Sequence, residues 1–195
     1  MRRTLLIVLL ALSPLSLHAK RVLVYGGGGL AMPLKPQAYA DIHNPAFGGE
    51  FGAAFFTNDV LAIGADLGLA SFSINQDKLG WPKGYTISGG DDSVTYYDVQ
   101  LRLQNRVRPG VGGFAFMGIG LFNQVVSDYT VSLNGAKLYT VTGKAVDPAR
   151  IGVFGAGLHF ANLGPVSFYT QFKLIATTAD TDSARLTQVS LGMMF

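Results

Sequence analysis

The chain has 195 residues, of which 49% are apolar and only 14% charged, with 25 glycines and no cysteine. That balance is too apolar for a disordered chain. It is also too rich in glycine for a helical bundle, because each helical glycine costs about 1 kcal/mol relative to alanine. The lack of cysteine excludes disulfides, thiol catalysis, zinc knuckles and a lipoprotein anchor.

Residues 1–19 read as an export signal. Arg2 and Arg3 supply the basic start, Thr4–Leu17 the apolar centre, and Leu17-His18-Ala19 a cleavage site ending on a small residue. The centre carries Pro14 and falls short of the roughly 20 residues that a spanning helix needs. The expected division is a signal peptide over 1–19 and one domain over 20–195. Without Arg2 and Arg3, the 15 lysines and arginines fall to 13 against 12 aspartates and glutamates, so the exported chain is nearly neutral. It has no basic run, and nucleic acid is not an expected partner.

Past residue 20 no apolar stretch is long enough for a spanning helix; the greasiest is Val111–Phe122. The apolar residues instead fall on alternate positions, the period of a strand. The first segment, Arg21–Ala31, carries glycine on both faces and does not reveal its inward side. In Ala46–Thr57, Phe47, Phe51 and Phe55 alternate with Gly48, Glu50, Gly52 and Ala54. Val60–Ile74 sets Leu61, Ile63, Ala65, Leu67 and Leu69 against Ala62, Gly64, Asp66, Gly68 and Ala70. Tyr96–Gln104 is the clearest, with Tyr97, Val99, Leu101 and Leu103 on one face and Tyr96, Asp98, Gln100, Arg102 and Gln104 on the other. Val111–Ser127 and Arg150–Asn162 are again blurred by glycine. Val166–Thr177 and Arg185–Phe195 alternate cleanly to the end of the chain.

The connections between these eight segments alternate in length. Met32–Pro45, Asn75–Asp92 and Asp128–Ala149 are long; Asn58-Asp59, Asn105–Gly110 and Leu163–Pro165 are short; Thr178–Ala184 closes the series. Short turns on one side and long loops on the other are the mark of an up-and-down barrel crossing the bacterial outer membrane. Within the third long connection, Asn134-Gly135 lies between alternating apolar residues and predicts a hairpin standing above the membrane.

With its signal peptide, eight alternating segments and terminal Leu191-Gly192-Met193-Met194-Phe195, the chain resembles the small eight-stranded outer-membrane barrels of the OmpA membrane domain, OmpX and OmpW type. The resemblance implies an all-β, eight-stranded antiparallel up-and-down transmembrane β-barrel in the outer membrane of a Gram-negative bacterium. It also implies contact with membrane lipid and lipopolysaccharide, and delivery to the barrel-assembly machinery through the C-terminal strand ending in Phe195. Eight strands leave an interior that side chains fill. The inward phase puts Glu50, Asp66, Asp98, Arg102 and Lys173 in that interior, where a charged layer is expected with a cation between the carboxylates.

Other motifs weigh less. Arg21–Tyr25 followed by Gly26–Ala31 matches a strand and G-x-G-x-x-A, but Pro33 and Pro36 fall in the first turns of the helix that a dinucleotide site needs. After processing only His43 and His159 remain, in no cluster with metal-ligand spacing. No cofactor or metal is expected. His159-Phe160-Ala161 is similar to the His-x-Ser pair of lipid A deacylase barrels, with alanine where serine would stand. His43, Asp92 and Ser93 at the outer rim are similar to the trio of the lipid A palmitoyltransferase family, although the leading amphipathic helix of that family is missing. The expected function is therefore non-enzymatic: a plugged outer-membrane barrel serving envelope structure or contact with an unidentified extracellular partner through its long loops. A narrow channel for small solutes and a lipid A-modifying acyltransferase or deacylase are the alternatives; a soluble lipocalin-like barrel would invert the two faces.

Overall fold

The computed structural model describes residues 21–105, 111–163, 166–177 and 185–195. The export signal over 1–19 lies outside the described residues, as do most of the Asn105–Gly110 turn, the end of the Leu163–Pro165 turn and the connection Thr178–Ala184. The elements in chain order are β1 (Arg21–Lys35), α1 (Gln37–Ile42), β2 (Ala46–Phe56), β3 (Leu61–Phe72), a 3-10 turn (Gln76–Leu79), β4 (Tyr85–Gly89), β5 (Asp92–Gln104) and β6 (Gly112–Val126). They continue with β7 (Tyr129–Leu133), β8 (Ala136–Val141), β9 (Ala145–Leu163), β10 (Val166–Thr177) and β11 (Arg185–Met194).

Eight of these strands close into an antiparallel barrel in the order β1-β11-β10-β9-β6-β5-β3-β2. Lipid offers no partner for a backbone N–H or C=O, so an alternating-strand chain can cross it only when no edge is left open. The seam runs from Tyr25 opposite Met194 to Lys35 opposite Arg185. Phe195 completes it: its N–H donates to the Val24 carbonyl at 2.8 Å, and the Val24 N–H donates back at 3.2 Å.

Alternation sorts side chains between lipid and interior as the five clear segments predict. Leu101 is 49% exposed and Ile119 76%, whereas Gln100 is 3% and Arg102 1% exposed. The three blurred segments are now oriented. Leu23, Tyr25 and Ala31 of β1 face inward, as do Phe114, Phe116 and Phe122 of β6 and Ile151, Val153 and His159 of β9. Glycine obscured them for a geometric reason. Five large interior rings each lie across the barrel wall over a glycine directly opposite on the next strand: Tyr25 over Gly52, Tyr96 over Gly68, Tyr169 over Gly192, Phe116 over Gly155, and Phe114 over Gly157. A Cβ at any of these glycines would collide with the ring.

Three strands extend past the expected bounds on the loop side. β1 runs on to Lys35, β5 begins at Asp92 and β9 at Ala145, so the barrel wall rises above the expected rim on the loop side. The loop side also holds two elements that the sequence does not announce, α1 and β4. The Asn134-Gly135 turn joins β7 to β8 with both residues at positive φ (51° and 83°), the geometry of a two-residue hairpin. β4, from the preceding long loop, pairs with β7 to give a separate three-stranded sheet, β4-β7-β8, over a small core of Ile87 and Val131.

Replacing Gly68 with valine drives a side chain into the Tyr96 ring, and overpacking of this kind costs about 1–3 kcal/mol. Gly68→Val is expected to lower the unfolding midpoint in detergent. Gly49→Ala, whose added methyl would find its nearest neighbour at 3.8 Å, is expected to leave it unchanged.

Candidate functional site

The interior is crossed by one polar network. Lys173 of β10 lies between two carboxylates, with Nζ 2.9 Å from Glu50 Oε2 of β2 and hydrogen-bonded to Asp66 of β3. Glu50 and Asp66 sit two register steps apart on neighbouring strands, opposite Gly68 and Gly52 respectively, and the space over those glycines is taken by the Tyr96 and Tyr25 rings. Nζ also donates to the Tyr96 hydroxyl at 3.2 Å, which donates to Gln188 Oε1 at 2.9 Å. Glu50 is further held by the Ser190 hydroxyl at 2.7 Å, the Tyr169 hydroxyl at 2.9 Å and both bonds from Gln171 Nε2 at 2.6 and 2.7 Å. Charge in so dry a place is tolerable only when paired and hydrogen-bonded, and here both conditions hold for Lys173 and Glu50.

The other two interior charges are placed differently. Asp98 faces Asp66 across β3 and β5 as its register partner, and neither of its carboxylate oxygens is hydrogen-bonded among the described residues. Arg102 stands two inward positions nearer the turn side and meets no carboxylate among the described residues. Its guanidinium lies over the Phe114 ring at 3.8 Å and the Tyr25 ring at 5.0 Å, while Nε donates to Gln104 Oε1 at 3.1 Å. A delocalised, weakly hydrated guanidinium suits an aromatic slot that a lysine ammonium does not. The five charges thus form a contact cluster of Glu50, Lys173 and Asp66, a facing carboxylate at Asp98, and a separate arginine–ring stack below.

The rim residues do not converge. Strand β5 starts at Asp92, so Asp92 and Ser93 are consecutive strand residues and point to opposite faces. Asp92 is 1% exposed and faces inward; Ser93 is exposed on the outer wall opposite Ser71. Asp92 accepts hydrogen bonds from the Tyr39 hydroxyl of α1 and from Gln124 Nε2 at 2.6 Å. Burial and the Asp92 carboxylate hold the Tyr39 phenol above its ordinary pKa. His43 lies flat on the Tyr39 ring, 4.0 Å between centroids, with Nδ1 2.9 Å from the Tyr39 carbonyl. His43, Tyr39 and Asp92 make a cap over one side of the mouth, and Ser93 lies outside it. His159 is fully buried, parallel to Phe114 at 6.5 Å, and its neighbour Phe160 faces outward.

Sequence reasoning passed over Tyr96, Tyr169, Gln171, Gln188 and Ser190, the neutral half of the network. Each lies on the inward phase of a clearly alternating segment, and that phase was the available signal. Tyr39 carried none, because six residues of helix between two prolines of a loop show no period.

No protein-family model matches this chain, and no curated protein matches it. Among solved structures it is similar to Neisserial surface protein A, with a TM-score of 0.63 at 12% identity over 89% of this chain and 95% of that one. It also aligns with Ail, the attachment invasion locus protein of Yersinia pestis, at a TM-score of 0.49 and 13% identity over 89% and 97% of the two chains. The N-terminal β-barrel domain of Pseudomonas aeruginosa OprF aligns at a TM-score of 0.47 and 11% identity over 91% and 99%. At such identities the likeness is one of fold, and the fold is that of the small eight-stranded outer-membrane β-barrels.

Removing one partner of a buried ion pair typically costs about 3–5 kcal/mol, because the other charge is left without a counterion. Lys173→Met is expected to lower the unfolding midpoint in detergent sharply, by stranding Glu50 and Asp66. The triple variant Glu50→Gln, Asp66→Asn, Lys173→Met is expected to recover most of the loss, which denaturant titration of the two variants checks.

Proposed function

We propose that this chain is a non-conducting, non-enzymatic integral protein of a Gram-negative outer membrane that holds a loop-built platform at the cell surface. The observation that carries this reading is the filled cross-section of the barrel. Lys173, Glu50, Asp66, Tyr96, Tyr169 and Arg102 occupy the axis from several strands at once, each at most 6% exposed. Side chains that fill the cross-section in this way obstruct ions as well as solutes. The outward face carries apolar side chains such as Phe47, Phe51, Leu101, Ile119 and Leu191, which fits a lipid belt, with lipopolysaccharide around the loop side. Phe195, hydrogen-bonded into the closing seam, is the element offered to the barrel-assembly machinery.

Surface contact with an extracellular partner falls to the β4-β7-β8 sheet. It ties two long loops into one body, and β8 is exposed along nearly its whole length. The separation of Asp92 from Ser93, and the seating of His43 on Tyr39, weigh against acyl transfer at the rim.

Two measurements test the reading. Single cysteines introduced at Leu101 and Gln100 in this cysteine-free chain are expected to differ after refolding into vesicles, with a lipid-phase reagent labelling position 101 and not position 100. In planar bilayers the protein is expected to show no steady unitary openings. Steady openings abolished by substitution of Glu50 or Lys173 would make it a channel instead.

A further inference from the structure

Above the polar network, the mouth of the barrel on the loop side is a cup of about 320 Å³ with apolar walls, formed by Phe72, Val94, Phe122, Ile175, Leu186 and, nearer the rim, Val146. We propose that this cup binds a free single-chain anionic amphiphile, a medium-length alkyl chain with a carboxylate head, entering from the aqueous side.

Three observations lead there. The walls have few groups to hold water, and apolar cavities stay dry; a cavity of about 150 Å³ takes one benzene, so this one takes roughly twice that volume of hydrocarbon. The rim is charged asymmetrically. Lys35 and Arg185 are register partners across the β1–β11 seam, both line the cup, both are exposed, and neither is ion-paired among the described residues. The carboxylate among the lining residues, Asp147, belongs to β9. A chain lying in the cup would therefore place an anionic head against the paired cations of the seam. Finally, the sequence Thr178–Ala184 contains two aspartates and no large apolar side chain, so its composition does not suit the walls. Barrel mouths are a recurrent place for such sites, apolar with a few polar groups that fix orientation. The site stands on the fold and the rim charges and is independent of whether the barrel conducts.

Equilibrium dialysis of radiolabelled decanoate against the protein in nanodiscs, with empty nanodiscs subtracted, tests the proposal. One saturable site per chain is expected, with 1-decanol bound about tenfold less tightly. Lys35→Glu and Arg185→Glu are each expected to weaken decanoate about tenfold and leave 1-decanol unchanged. Ala149→Trp, at a half-buried lining position, is expected to abolish binding of both. Val146→Trp, at a position already 47% exposed, repeats that test if the first variant fails to show the heat-modifiable gel shift of a folded barrel. Uptake that is equal in the filled variants is partition into lipid only and overturns the site. Equal affinity for decanol and decanoate overturns its anionic character. Binding that emerges only when Thr178–Ala184 is shortened would mean that the chain's own segment fills the cup, which also overturns the proposal.

Discussion

Everything in this molecule follows from backbone hydrogen bonding in a medium that offers none. A sheet in lipid must return on itself, and with eight strands the closed circle is so narrow that the interior becomes a packing problem. The solution here is a repeated pairing of a large ring with a glycine on the adjacent strand, which lets five aromatic side chains lie against the wall rather than collide across the axis. The space left near the middle is filled by polar groups centred on the Glu50–Lys173–Asp66 cluster, and the space left at the loop side is apolar and open.

The arrangement explains why charge is distributed as it is. Glu50 and Asp66 lie at neighbouring levels on adjacent strands, and Lys173 bridges what would otherwise be adjacent like charges. Arg102 lies where the rings are, and its planar guanidinium takes the stacked position. Residue type and local volume together decide which cation goes to which level.

Much of this was legible in the sequence and some was not, for physical reasons. A strand with lipid on one side and packed interior on the other must alternate, so Ala46–Thr57, Val60–Ile74 and Tyr96–Gln104 declare both their type and their facing. Glu50 lies eight residues before Asn58 and Asp66 seven after Asp59, and that near-equal depth on either side of the tight turn is enough to bring the two carboxylates together. Strands β1, β6 and β9 were silent about facing because glycine sits inward under a ring and also outward among larger lipid-facing neighbours, so composition no longer separates the faces. Counting from the Asn105–Gly110 turn also sets Arg102 at the carboxylate level, yet only Leu103 and Gln104 lie between it and that turn, so it stands two inward positions lower than Asp98. Ser93 was set beside Asp92 by treating both as loop residues; once the strand is seen to begin at Asp92, alternation alone drives them apart. The pairing of β4 with β7 was beyond reach, since a five-residue strand in one loop gives no hint of a partner in another.

The polar network also has a bearing on how the chain reaches its final state. Its members come from opposite ends of the sequence: Tyr169 and Ser190 reach Glu50 over separations of 119 and 140 residues, and Lys173 reaches Asp66 over 107. A half-built sheet that has inserted β2 and β3 but not β10 and β11 would carry two carboxylates into a dry interior with no counterion. Such an intermediate is penalised far more than one with an apolar lumen would be. The buried ions therefore act as a proofreading device on insertion, making the last strands energetically indispensable to the first and converting assembly into an all-or-none event.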